Sequence, residues 1–235
     1  MSRRNVHGWS SERQQAMTEL ARLFPTLDKA SGVKPWNVCR FVKWAALHRH
    51  CIGSAHAVRF ILSVWNSNAD WRKILQEAKA SSEIESFVTT QDELFAADLQ
   101  LAEWVSPAAK EVSRYREALM YGFEQMHKQQ GLLTNGCLIA LFQLLKNSTE
   151  GYRRTPGTVL KNDRTGATVF VPPQTYDDIA RHMAALEYFI NTPDDLDDLT
   201  KMALIHHQFE SIHPFSDGNG RIGRILCVLY LAKAG

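Results

Sequence analysis

The sequence predicts an all-α protein, a helical bundle with one small β-hairpin, and three observations predict it. Apolar residues recur at helical spacing through most of the second half of the chain. Helix-start signals stand before those stripes, at Ser106-Pro107, Thr134-Asn135 and the acids around Asp197. β-Favouring residues gather in a single stretch, residues 152–173, around a polar turn. At 235 residues the chain can bury a substantial core as one domain with a small appendage, without help from disulfides.

The elements follow in order. Residues 1–66 read as a helical N-terminal region: Ser10-Ser11-Glu12-Arg13 opens a helix through Leu23, Gly32 and Pro35 punctuate it, and Phe41, Trp44, Phe60 and Ile61 are core-forming material. Ser106-Pro107 opens a helix with Val112, Tyr115, Leu119, Phe123 and Met126 on its buried face; Thr134 starts the next, carrying Leu138, Ile139, Leu141, Phe142, Leu144 and Leu145. The runs 152–160 and 167–173 flank the polar turn 161–166, and Pro172-Pro173 ends the second, which makes a hairpin. Met183, Leu186, Phe189 and Ile190 form a buried stripe with Tyr188 as its exposed exception. Asp194, Asp195, Asp197 and Asp198 favour a helix N-terminus, and that helix carries Leu199, Met202, Ala203, Ile205, Phe209 and Ile212 before ending at His213. A last helix opens at about Asn219 and buries Ile225, Leu226, Val228, Leu229 and Leu231.

Between those last two helices lies the most informative run, His213-Pro214-Phe215-Ser216-Asp217-Gly218-Asn219-Gly220-Arg221-Ile222-Gly223-Arg224. It brings together a base, a carboxylate, a glycine-rich turn and paired arginines, the inventory for holding a magnesium triphosphate and activating a hydroxyl against it. Glycines on either side of Asn219 let the backbone point successive N–H groups into one concavity, which suits an anion. Arg221 and Arg224 share a helix face near its positive end, and a guanidinium fork fits phosphate oxygens. Phosphoryl-type transfer needs a base in line, a hard cation with oxygen ligands, and positive charge over the developing negative charge. These residues do not choose the nucleotide. His206, His207 and His213 do not put three ligands on one face, so the first two read as core or surface histidines rather than a zinc site.

The run resembles the signature of the Fic (Fic/DOC) family, HPFxxGNGRxxR with an acid before the first glycine, at every defining position. The resemblance implies the Fic fold and a protein adenylyltransferase that moves AMP from ATP onto a Ser, Thr or Tyr hydroxyl of a protein substrate. His213 would be the general base and Asp217 the ligand of Mg2+. Gly218, Asn219 and Gly220 would cradle the α and β phosphates with help from Arg221, and Arg224 would pair with the γ phosphate. The hairpin, with Thr168, Val169 and Phe170, would be the family's flap, which holds the target by main-chain pairing as an exposed strand edge can. Arg153 fits the arginine that precedes the flap, and adenine contacts fall within residues 176–186.

Upstream, Ser81-Ser82-Glu83-Ile84-Glu85-Ser86 resembles the inhibitory motif [S/T]xxxE[G/N] of autoregulated Fic proteins. Ser81 and Glu85 match it. In the family the glutamate pairs with the second arginine, here Arg224, and keeps the γ phosphate from its productive pose. Ser86 departs from the usual Gly or Asn: either it closes the helix and leaves that geometry intact, or it removes the easy left-handed residue and weakens inhibition. The same run also reads as a capping box, with Glu83 and Glu85 as surface acids. The resemblance makes residues 67–235 a Fic-like catalytic domain that includes an inhibitory helix at 78–86. A Fic-fold transferase with another nucleotide or phosphate-linked donor, and a non-catalytic binding module, stay open as alternatives.

Composition bounds the rest. A formal charge of +2 implies no particular partner, and Arg3 and Arg4 are too few for a nucleic-acid arm, so nucleic acid is not implied. No apolar region follows the first residues and no run reaches membrane-spanning length, which predicts a cytoplasmic protein without a membrane partner. Cys39, Cys51, Cys137 and Cys227 lack ligand spacing; the last two lie in apolar helices and read as buried thiols of a reducing compartment. A homodimer stays open, and the end at Gly235 fits either a short family member or a trimmed chain.

Overall fold

The structure, a computed structural model, describes residues 71–90, 92–94, 106–162 and 165–234. The expectations for residues 1–66, for a boundary at 66/67, and for Cys39 and Cys51 lie outside them. Among the described residues the chain forms helices α1 (Trp71–Ile84), α2 (Pro107–Lys128) and α3 (Asn135–Lys146), strands β1 (Leu160–Lys161) and β2 (Thr168–Phe170), and helices α4 (Tyr176–Asn191), α5 (Asp198–Ile212) and α6 (Asn219–Ala234).

From α2 to α5 each helix starts at a side chain that accepts an otherwise unpaired N–H. Ser106 accepts from Ala109, Thr134 from Cys137, Thr175 from Asp178 and Asp197 from Thr200. Each such cap is worth about 1 kcal/mol. Helix α6 is the hub, packed against α5, α2, α3 and α1, with Ile222, Ile225, Leu226, Leu229 and Tyr230 buried. It approaches α2 at Gly122, where a Cβ would stand 2.6 Å from Leu229 Cδ1. The α4 stripe is buried as its spacing predicts, and Tyr188 is exposed. Leu144 and Leu199 instead face outward, because one lies off the α3 stripe and the other in the first turn of α5, before that helix meets the core. Cys137 and Cys227 are buried free thiols; burial pushes them up to about 11 and about 12, so they stay protonated.

The hairpin is shorter than its β-favouring runs. β1 and β2 pair antiparallel, Leu160 with Phe170 and Lys161 with Thr168 across an irregularity. Pro156, Pro172 and Pro173 offer no N–H and cannot extend the ladder. Gln174 replaces it, donating to Thr158 O (3.0 Å) and Pro172 O (2.6 Å) while accepting from the Gly157 N–H (2.7 Å).

Ser81 and Ser82 are buried in the last turn of α1, so the capping-box reading of that run does not hold. A capping box forms further on: Thr90 Oγ1 accepts from the Glu93 N–H at 3.2 Å and Glu93 Oε2 from the Thr90 N–H at 3.0 Å. The end of α1 closes with Ser86 in the left-handed region (φ 67). The Phe87 N–H donates to Ser82 O (3.1 Å) and the Ser86 N–H to Glu83 O (3.0 Å), a Schellman closure that normally takes glycine. Ser86 therefore closes the helix, at a backbone cost of about 1 kcal/mol. Among the described residues no helix is long and apolar enough to cross a membrane.

Candidate active site

The predicted loop joins α5 to α6. His213 caps α5 in a left-handed conformation (φ 49, ψ 58), its N–H bonded to Phe209 O, and its imidazole is hydrogen-bonded to the backbone of Glu210 in the last turn of that helix. Phe215 anchors the loop in the core, stacked on Phe142 at 4.3 Å between ring centroids and tilted against Tyr152 and Phe209. Asn219 closes it: its Oδ1 accepts from the Phe215 N–H and its Nδ2 donates to Phe215 O, both at 2.9 Å. Arg153 fastens the base of the hairpin to the same loop. Its Nε donates to His213 O at 2.8 Å, its Nη2 to Pro173 O, and its own N–H to Pro214 O at 2.8 Å.

The turn needs its glycines. Gly218 has φ 75, and its carbonyl accepts the first α6 bond from Ile222. At Gly220 a Cβ would lie 2.7 Å from Glu85 Oε1, so the bare glycine leaves a seat at the α6 N-terminus that the Glu85 carboxylate fills. Arg224 holds that carboxylate: its Nη2 lies 2.9 Å from Glu85 Oε1 and 3.1 Å from Ser81 O, and its Nε donates to Ser81 Oγ at 2.7 Å. Ser81 and Glu85, one turn apart, thus grip one guanidinium.

Arg221 does not share that opening. It is buried, ion-paired with Glu111 of α2, covered by the Phe87 ring at 5.2 Å, and its Nη2 is 3.9 Å from Asp217 Oδ2. Asp217 is largely exposed and bonded to Lys146 Nζ at 2.6 Å. Lys146 and the Gly218 N–H hold its carboxyl below the usual range, so it is ionised at neutral pH. Burial, with the Arg153 cation nearby, pushes the His213 imidazole below its ordinary value, which leaves it neutral and able to accept a proton. The arrangement therefore offers a neutral base, an ionised carboxylate and an anion seat along one loop. The hairpin stands beside it, with Thr168 and Val169 exposed and Phe170 half-buried. Tyr176, at the start of the segment expected near adenine, carries the Arg154 guanidinium over its ring at 4.6 Å.

A model of the Fic/DOC family matches residues 134–231, and a model of the Fic/DOC family N-terminal region matches residues 72–124, together more than half of the chain. The chain belongs to the Fic/DOC family. It is 34% identical over 89 residues to a probable protein adenylyltransferase of Aquifex aeolicus, a match covering 38% of this chain and 26% of that one. It is 32% identical over 104 residues to protein adenylyltransferase Fic of Drosophila mojavensis, covering 40% of this chain and 20% of that one. The match thus spans about a quarter and a fifth of those relatives' lengths. Solved structures show the same fold: a Fic domain containing signaling protein from Bacteroides thetaiotaomicron has a TM-score of 0.59 at 21% identity, covering 76% of this chain and 73% of that one. A Fic family protein from Desulfovibrio desulfuricans has a TM-score of 0.54 at 23% identity, covering 85% and 58%.

This Fic domain also places beside the loop charged residues that sequence reasoning passed over. Glu111 lies four before Tyr115 and eight before Leu119, so a charge on the apolar stripe was its signal. Lys146 continues the α3 stripe four residues after Phe142. Glu210 lies behind Arg224, its Oε1 buried without a partner and 2.6 Å from where a Cβ at Gly223 would stand. Burial pushes its carboxyl up to about 7, against the pull of Arg224 and with the help of Glu85.

That carboxyl makes a stability prediction. With a folded pKa near 7 and an ordinary value of 4.5, the folded state holds a proton that the unfolded chain releases. Its contribution is full at low pH and disappears as pH rises through about 7. Glu210→Gln should therefore gain thermal stability relative to wild type as pH is raised from 5 to 8. A melting-temperature difference that stays flat across that range counts against a raised Glu210.

Proposed function

We propose that this Fic domain is a protein adenylyltransferase that transfers AMP from ATP to a hydroxyl side chain of a protein substrate, restrained by its own Glu85. The observation that carries the reading is the seat at the α6 N-terminus, where the Glu85 carboxylate rests on Gly220 and Arg224 as an anionic phosphate oxygen would. His213, neutral and aimed from the α5 exit, accepts the proton of the target hydroxyl. Gly218 supplies the turn, its own N–H held by Asp217; the N–H groups of Asn219 and Gly220 with the α6 dipole bind the α and β phosphates, and Arg224, once free of Glu85, binds the γ phosphate. The Thr168–Phe170 strand edge holds the target segment in register.

The residues present fit Mg2+. Among the described residues no cluster of three or more His, Cys, Asp or Glu forms a metal cage. A single open carboxylate suits a cation whose remaining ligands are phosphate oxygens and water, and the Lys146 ammonium already occupies the cation side of Asp217. Bound there, Mg2+ would neutralise the charge of the phosphates. Asp217→Ala should cut magnesium-dependent labelling by at least about 10²-fold. Thermal stability should change by no more than the ~0–1 kcal/mol of an exposed ion pair. An unaltered magnesium titration would remove Asp217 from the metal site.

Ser86 tunes the restraint. Glycine at this left-handed position relieves about 1 kcal/mol of backbone cost, so Ser86→Gly should raise the melting temperature by about 2–4 °C and lower basal labelling up to about fivefold. Faster labelling by this variant would contradict the role given to the α1 closure. The reaction itself is tested by incubating a lysate with the Glu85→Gly protein and labelled ATP, or separately the other nucleoside triphosphates, and reading modified proteins by mass spectrometry. Labelling from ATP alone is the expected result; labelling from another nucleotide, or from none, overturns the reading.

A further inference from the structure

Arg221 is fixed from three sides, and none of its fixings belongs to a substrate. Its guanidinium is ion-paired with Glu111, a carboxylate nearly as buried as the arginine itself (10% and 3% side-chain exposure). The Phe87 ring covers one face at 5.2 Å. The remaining edge lies under the turn that carries Asp217: Arg221 Nη2 is 3.9 Å from Asp217 Oδ2 and 3.5 Å from where a Cβ on Gly218 would stand. An arginine paired within the core is held stiffly, because its fork is planar and its partner cannot escape to water. What it touches at its far end is thereby fixed in place.

We propose that Glu111 is a positioning residue: through Arg221 it holds the Asp217-Gly218 turn where the carboxylate can take a divalent cation together with the phosphates of a nucleotide. This rests on the adenylyltransferase reading and deepens it. Arg221 then acts as a strut between α2 and the turn, and Arg224 remains the arginine open to the nucleotide. Buried partners that orient a metal-binding carboxylate typically matter 10–100-fold in metal affinity, and Glu111 stands in that relation to Asp217 with one guanidinium between them.

The test uses the full chain carrying Glu85→Gly, with ATP binding followed by calorimetry across a magnesium series and in chelator. Glu111→Gln should raise the magnesium concentration for half-maximal ATP binding about tenfold or more, while affinity in chelator changes by less than about twofold. Because an unpaired buried arginine destabilises the fold, a second variant removes both charges, Glu111→Met with Arg221→Met. It should recover most of the melting temperature and keep the defect in magnesium dependence. A control, Lys201→Met, breaks the ion pair between the buried Lys201 of α5 and Asp194, which precedes that helix, and should lower the melting temperature with the magnesium midpoint unchanged. A wild-type magnesium midpoint in the double variant, or an equal shift in the Lys201 control, overturns the inference and leaves the functional reading standing. If the Glu85→Gly chain binds no ATP with magnesium, the reading and the inference fall together.

Discussion

His213→Ala, made in the Glu85→Gly background, should abolish protein labelling. In the proposed mechanism the imidazole at the exit of α5 is the base, and a positioned base is worth about 10²-fold or more. Burial and Arg153 hold it below its ordinary value of 6.5, so in the Glu85→Gly parent the rate should fall as pH drops through a value below that one and level off above it. A protonated imidazole cannot accept the hydroxyl proton. His213 also occupies a left-handed backbone position, where alanine adds strain of its own. His213→Asn is therefore the sharper variant, since asparagine tolerates that conformation and removes the base alone. Both variants should bind ATP with magnesium as the parent does. Labelling by either at the parent rate would end the general-base assignment.

What the sequence discloses here is what is local along the chain. The starts of α2, α3 and α5 were legible because a cap and its partner lie within three residues, and the loop was legible because its chemistry is written in one unbroken run. Arg221 was the misleading case. Residues three apart are about 60° apart around a helix, enough for Arg221 to turn inward to Glu111 while Arg224 turns to α1. Helical period alone put them on one face; the packing of α2 and α1 on α6 separated them. Lys146 and Asp217 meet across 71 positions, and no short window shows such a pair. Arg153 was recognised by resemblance, yet its bonds to the carbonyls of His213 and Pro173 depend on the hairpin folding back onto the loop. Ser86 was a fork that composition left open: the hydrogen bonds show that it closes α1, its left-handed φ of 67 shows that it does so at a cost, and the Ser86→Gly variant tests what that cost does to the restraint.

Glu85→Gly should raise labelling of protein targets and of the chain itself, and Arg224 should be the reason. The carboxylate sits against Gly220 at the α6 N-terminus and 2.9 Å from Arg224 Nη2, so on the proposed reading it takes both the space and the charge that a γ phosphate would use. The pair is open to solvent at one end, with 39% of the Glu85 side chain exposed, and such pairs stabilise a fold by only ~0–1 kcal/mol. Losing Glu85 should therefore leave the melting temperature nearly unchanged and alter the rate, by at least about tenfold if the restraint is worth 1.4 kcal/mol or more. Ser81 keeps its own bonds to Arg224 in this variant, so the guanidinium stays at the mouth of the site and is not simply set loose. The companion variant separates relief of inhibition from general loosening: Arg224→Ala together with Glu85→Gly should cancel the gain, because the same guanidinium serves productive binding. Generic loosening predicts the opposite, a double variant as fast as Glu85→Gly or faster. If Glu85→Gly labels no faster than wild type across a range of ATP concentrations, the contact between Arg224 and Glu85 is a structural ion pair and the restraint does not exist.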